Sequence, residues 1–172
     1  AVMPERAVLM KDLPTGGKPV ISLLAGSRRH EIKHILPEML KLVSQLSEYQ
    51  FVLAGVKNIP DSFYNKIMGD SPVMLVKEKT YEILYVSEAA LVASGTATLE
   101  TALLGIPQVV CYKGDFISMA IASLLVKVRY ISLVNLIMDR EVVTELIQYD
   151  LTREKLLSEL KKILPSGTRR DS

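Results

Sequence analysis

The chain has 172 residues, 49% of them hydrophobic and 23% charged, with 21 basic side chains against 19 acidic ones. That length suits one domain with a core of its own, while the single Cys111 excludes an internal disulfide framework and a multi-cysteine zinc site. The small net charge, the three Phe and the absence of Trp exclude a basic or base-stacking nucleic-acid binder, and the apolar content excludes disorder.

Residues 1–19 carry Pro4, Pro14, Gly16, Gly17 and Pro19 and are expected to form a linker. Val20 to Ala25, a short apolar run stopped by Gly26, predicts a buried strand. Glu31 to Leu46 repeats apolar residues at helical spacing; Pro37 either kinks that helix or opens a second segment. Strands are predicted at Phe51 to Gly55, Val73 to Val76, Ala89 to Ala93 and Gln108 to Tyr112. Between them lie helices at Asp61 to Met68, Thr80 to Val86 and Ala97 to Leu104, with Asp61 and Thr80 as expected caps and Gly105 with Pro107 as a stop. Phe116 to Val128 reads as an apolar helix, Tyr130 to Leu133 as a short sixth strand and Thr152 to Leu164 as an amphipathic helix. Residues 20–165 would thus form the domain and 166–172 a tail.

Strands alternating with helices, and apolar on both faces, predict an α/β fold: a Rossmann-like parallel sheet of about six strands with helices on both faces. The longest apolar stretch, Phe116 to Val126, falls short of the ~20 residues that span a bilayer. Ala1-Val2-Met3-Pro4-Glu5 lacks the charged start and apolar block of a secretory signal.

In such folds ligands meet the carboxyl ends of the strands. After the first strand come Gly26, Ser27 and Arg28, then a helix. The glycine permits a tight turn, the serine offers a hydroxyl, the guanidinium is a forked permanent cation, and the helix start favours anions. Neither G-x-G-x-x-G nor G-K-[ST] is present, so the loop is neither a dinucleotide fingerprint nor a P-loop. A capped helix start with solvated arginines is the bland alternative. After the fourth strand come Ser94, Gly95, Thr96, Ala97 and Thr98, again opening a helix, with Glu100 a turn further on. A carboxylate there can accept two ribose hydroxyls, or merely complement the helix dipole or join a capping box with Thr96 or Thr98. Two anion-accepting loops at one sheet edge favour a nucleotide with a diphosphate over capping alone. His30 and His34 share a helix face at i, i+4, but no third ligand follows, and solvent-facing side chains are the better reading. Lys77-Glu78-Lys79 reads as a solvated turn whose backbone could touch a base.

These motifs in order, Leu24-Ala25-Gly26-Ser27-Arg28-x-x-Glu31-Ile32, Ala93 to Glu100, Pro107-x-Val109-Val110-x-Tyr112, Tyr130 to Leu136 and Glu145 to Gln148, resemble the C-terminal half of the lipid-A-disaccharide synthase family. Each motif alone is weak, while their order and spacing over Val20 to about Leu164 are specific. The resemblance implies the second domain of a GT-B glycosyltransferase. It implies inverting transfer of 2,3-diacylglucosamine from UDP to 2,3-diacylglucosamine 1-phosphate, with no metal or other cofactor. UDP would be held by Gly26, Ser27, Arg28, Ser94, Gly95, Thr96, Ala97, Thr98 and Glu100, with Asn135 and Gln148 as polar residues near the cleft. The catalytic base and acceptor site would lie in an N-terminal domain outside this chain, so the half would bind UDP without catalysing alone. A cytoplasmic enzyme, peripheral on the inner face of the inner membrane, is implied, and the cations flanking 116–128 (Lys113, Lys127, Arg129) would suit such a surface. Ala25 and Val134 stand where the family commonly has Pro, and Thr144 departs from its usual wording. The non-Met start and the 167–172 end are expected to be cuts. A stand-alone UDP-sugar-binding module, or another GT-B UDP-sugar transferase or epimerase, is the alternative.

Overall fold

The computed structural model describes residues 15–114 and 130–169. The helix expected over 116–128 therefore lies outside the described residues, as do residues 1–14 of the linker and 170–172 of the tail. In chain order the elements are β1 (Val20–Leu24), α1 (Arg29–Leu40), β2 (Gln50–Gly55), α2 (Asp61–Met68), β3 (Met74–Lys77), α3 (Thr80–Val86), β4 (Ser87–Ala93), α4 (Thr96–Leu103), β5 (Gln108–Tyr112), α5 (Leu133–Met138), β6 (Thr144–Ile147) and α6 (Arg153–Ile163). A 3-10 turn at Val43–Gln45 follows α1 and another at Gln148–Asp150 follows β6.

All six strands are parallel, in the order β3-β2-β1-β4-β5-β6. The period-two alternation of each strand sorts its side chains between two cores. Ile21, Leu23, Phe51, Leu53, Leu91 and Val109 face α1, α2 and α6, whose Ile32, Leu36, Tyr64, Leu156 and Leu160 cover them. Val20, Leu24, Val52, Ala90 and Val92 face the opposite way, against Ile83, Leu84 and Val86 of α3. Both faces of the central strands are thus buried, which is why they read as nearly continuous apolar runs. Burial pushes the Cys111 thiol, inside β5, well above its ordinary value.

Several expectations need correction. Helix α1 runs through Pro37 but ends at Leu40, short of Leu46, because the chain tightens into the 3-10 turn there. Pro37 costs one internal backbone bond, which the burial of Ile32, Ile35, Leu36 and Met39 offsets. Pro60 and Lys79 occupy the N-cap positions expected for Asp61 and Thr80, which are instead the first helical residues. The sixth strand is Thr144–Ile147 rather than Tyr130 to Leu133. Ser132 caps α5, its hydroxyl accepting from the Asn135 backbone N–H at 3.3 Å. The Glu145 carboxylate takes the backbone N–H groups of Ile131 and Ser132, each at 2.9 Å, so they join no sheet ladder.

Candidate functional site

Register brings the two loops together. Leu24 of β1 sits beside Val92 of β4, so Gly26-Ser27-Arg28 and Ser94-Gly95-Thr96 leave the sheet as neighbours. From β1 the chain winds outward through β2 and β3; from β4 it winds the other way through β5 and β6. The boundary between β1 and β4 is the topological switch point, where a crevice opens at the carboxyl edge of a doubly wound sheet. A cavity of about 440 Å³ lies there. Gly26, Ser27, Arg28 and Glu31 form one wall, and Ser94 to Ala97 with Glu100 form the other.

The loop after β1 is held by a residue that the site expectation omitted. Glu31 folds back so that Oε2 accepts from the backbone N–H groups of Ser27 at 3.0 Å and Arg28 at 3.3 Å. Gly26, at φ +110, makes room: a Cβ there would lie 2.6 Å from Glu31 Oε2 and 2.8 Å from Glu31 Cβ. The glycine's first duty is therefore to admit this carboxylate. The Arg28 guanidinium is 82% exposed and 3.8 Å from Glu31 Oε1, leaving its fork open to the cavity's solvent side. Glu31 stands three residues after the N-cap Arg28, and that capping-box spacing was the signal that could have found it.

In the loop after β4 most hydroxyls are already committed. Ser94 Oγ donates to the Ile131 carbonyl at 3.2 Å, and Ser94 N–H donates to the Cys111 carbonyl at 3.0 Å. Thr98 Oγ1 donates to the Gly95 carbonyl at 2.7 Å. Thr98 is fully buried, so its side chain closes the turn. Ser27 and Thr96 keep hydroxyls that no described residue engages. Gly95 adopts φ +151 before α4. The Thr98 N–H turns back to the Gly95 carbonyl at 3.2 Å, which leaves the N–H groups of Thr96 and Ala97, both lining the cavity, without an intrahelical acceptor. Glu100 forms no capping box; its Oε1 accepts the Tyr81 hydroxyl at 3.0 Å. That bond, together with the carboxylate's charge, raises the Tyr81 hydroxyl above its ordinary pKa.

Asn135 and Gln148 do not join this cavity. Asn135 is fully buried. Its Oδ1 accepts from Val142 N–H at 2.7 Å and Val143 N–H at 3.0 Å, and its Nδ2 donates to the Val143 carbonyl and to Glu145, each at 2.8 Å. Gln148, at φ +52, lines a separate cleft of about 1060 Å³ with Lys113, Glu38 and the start of α6. Its Oε1 accepts from Gly114 N–H at 3.4 Å. In that cleft burial pulls the Glu38 carboxyl upward, but Lys113 at 2.5 Å and Lys41 at 2.6 Å outweigh it and hold the carboxyl below its ordinary value. The rings of His30 and His34 lie 4.5 Å apart, with His34 Nδ1 2.8 Å from the His30 carbonyl. No group of three His, Cys, Asp or Glu side chains suited to a metal ion occurs among the described residues. No described helix is long and apolar enough to cross a membrane.

An all-parallel 3-2-1-4-5-6 sheet, helices on both faces and two small-residue loops at its switch point define a Rossmann-type domain with a ligand crevice at its carboxyl edge. The glycosyltransferase WaaG, of lipopolysaccharide biosynthesis, superimposes with a TM-score of 0.64 at 15% identity, covering 98% of this chain and 44% of WaaG. A UDP co-structure of S. aureus MnaA gives 0.52 at 15% identity, over 94% and 40% of the two chains. At that identity both likenesses speak for the fold alone.

Sequence comparison is more specific. The family model described as lipid-A-disaccharide synthetase matches residues 5–172. The lipid-A-disaccharide synthase of Solibacter usitatus is 36% identical over 157 residues, covering 90% of this chain and 41% of that protein. The synthase of Myxococcus xanthus is 35% identical over 174 residues, covering 97% and 44%. The chain belongs to the lipid-A-disaccharide synthetase family, and it spans less than half the length of these relatives.

Proposed function

We propose that this chain is the donor half of a lipid-A-disaccharide synthase: it holds the UDP of UDP-2,3-diacylglucosamine while the sugar passes to 2,3-diacylglucosamine 1-phosphate. The observation that carries this is the switch-point cavity, where Arg28 and the start of α4 converge from two loops with Glu100 behind them. With Glu31 on the N–H groups of Ser27 and Arg28, the diphosphate takes the Arg28 guanidinium, the Ser27 and Thr96 hydroxyls and the Thr96 and Ala97 N–H groups that open α4. Glu100 accepts the ribose hydroxyls.

In the transfer, the acceptor hydroxyl attacks the anomeric carbon as the bond to the diphosphate oxygen breaks, inverting that carbon. The hydroxyl proton passes to a base on an N-terminal domain, and UDP leaves with the bonding electrons. Arg28 and the α4 amides stabilise the charge gathering on the diphosphate, the task a metal ion performs elsewhere. The half alone binds UDP and is inactive. Both substrates are lipids, so the whole enzyme works on the cytoplasmic face of the inner membrane as a peripheral protein.

Calorimetry of UDP and uridine binding to the chain and its Arg28→Ala variant tests this. UDP should weaken roughly tenfold or more, the scale of a charge-assisted pair, with uridine almost unchanged. Equal losses for both ligands would sink the diphosphate assignment.

A further inference from the structure

Glu100 does not stand alone at the cavity. Tyr81, in the first turn of α3, reaches across to α4 and donates its hydroxyl to Glu100 Oε1 at 3.0 Å. The residues are 19 apart in sequence, and their helices cover the same sheet face on successive crossovers. Tyr81 is half exposed, so packing alone does not explain its orientation. Glu100 Oε2 accepts from no described residue, and Glu100 lines the cavity whereas Tyr81 is not among its lining residues.

A partly exposed glutamate samples several rotamers, and fixing one costs entropy on binding. A tether on one oxygen removes part of that cost beforehand and leaves the other oxygen for a ligand. We infer that Tyr81 is a positioning residue: it presets the Glu100 carboxylate to receive the vicinal hydroxyls of a ribonucleotide, and so tunes the preference for ribose over 2′-deoxyribose. This rests on the UDP assignment and adds a residue to it. Tyr81 touches no substrate and acts only through Glu100.

The test is titration of UDP, 2′-deoxy-UDP and inorganic pyrophosphate into the chain and its Tyr81→Phe, Glu100→Gln and doubly substituted variants. Tyr81→Phe keeps the ring, so its melting temperature should match the parent's. It should weaken UDP about three- to tenfold, the scale of one net hydrogen bond, lower the UDP to 2′-deoxy-UDP ratio by a similar factor and leave pyrophosphate unchanged. Glu100→Gln should abolish most of the ratio, and adding Tyr81→Phe to it should change nothing more. An unchanged ratio in Tyr81→Phe, with Glu100→Gln still damaging, would overturn the role of Tyr81 and leave the UDP assignment intact. Failure of the parent chain to bind UDP would overturn both.

Discussion

Gly26→Ala isolates the device on which the β1 loop depends. The substitution introduces two faults at once. Alanine at φ +110 is strained backbone, worth about 1–3 kcal/mol. Its Cβ would also lie 2.6 Å from Glu31 Oε2, so the carboxylate must leave the Ser27 and Arg28 amides, a lost cap worth about 0.5–2 kcal/mol. Together the cost is about 1.5–5 kcal/mol, which lowers the melting temperature by roughly 3–20 °C for a domain of this size. Glu31→Ala alone should cost about 1 kcal/mol, since it removes the cap without the strain. In the double variant that loss should vanish, because Gly26→Ala has already displaced the carboxylate. Urea unfolding of the four proteins gives the coupling energy, expected near 1 kcal/mol. Strictly additive losses, or a Gly26→Ala protein as stable as its parent, would refute the claim that the glycine exists to admit Glu31.

Two buried polar groups outside the cavity, Asn135 and Glu38, give further outcomes. Asn135→Ala strands the amides of Val142 and Val143 and one acceptor on Glu145, and should cost about 2–3 kcal/mol in urea unfolding. Asn135→Asp should be worse at neutral pH, because it replaces the Nδ2 donor with an oxygen facing the Glu145 carboxylate, and it should recover on mild acidification. The Glu38 carboxyl, whose ordinary value is 4.5, is held lower by Lys113 and Lys41 despite the opposing effect of burial. A carboxyl depressed in the folded state binds fewer protons there than in the unfolded chain, so it adds stability above its unfolded value and loses it as pH falls through the folded one. Glu38→Gln should therefore lose stability near neutral pH, by about 1 kcal/mol, and flatten the decline below about pH 5. Parallel stability–pH curves for the two proteins would contradict the Lys113–Glu38–Lys41 arrangement.

What could be read from the sequence, and what could not, divides by the range of the forces involved. Strands β1, β2, β4 and β5 were legible because both faces of the sheet are covered there and each carries a mostly apolar run, such as Phe51 to Ala54 and Ala89 to Ala93. Strand β3, at one edge, was short but still apolar from Met74 to Val76. Strand β6, Thr144–Ile147, buries only Leu146. At the sheet's edge it can carry Thr and Glu, so no apolar run marks it, whereas the apolar Tyr130 to Leu133 imitated one. The α5 start was decided instead by polar contacts, the Ser132 cap and the grip of Glu145, which periodicity does not register.

The site divides in the same way. Gly26 to Arg28 and Ser94 to Ala97 were visible because small residues before a helix are a local signature, and parallel topology returns successive strand ends to one edge. Their chemical states were not visible, because each depends on a partner the sequence does not place. Ser94 looked like a phosphate donor, yet its proton is committed to Ile131, itself held through the Ser132–Glu145 contacts. Thr98 closes its own turn, while Tyr81 reaches Glu100 from another crossover. The hydroxyls left over, on Ser27 and Thr96, are one from each loop. A ligand satisfying both bridges the loops after β1 and β4, as a diphosphate with acceptor oxygens on two adjoining phosphates would. Ser27→Ala and Thr96→Ala should accordingly both bear on diphosphate binding, whereas Ser94→Ala should act through the tie to Ile131.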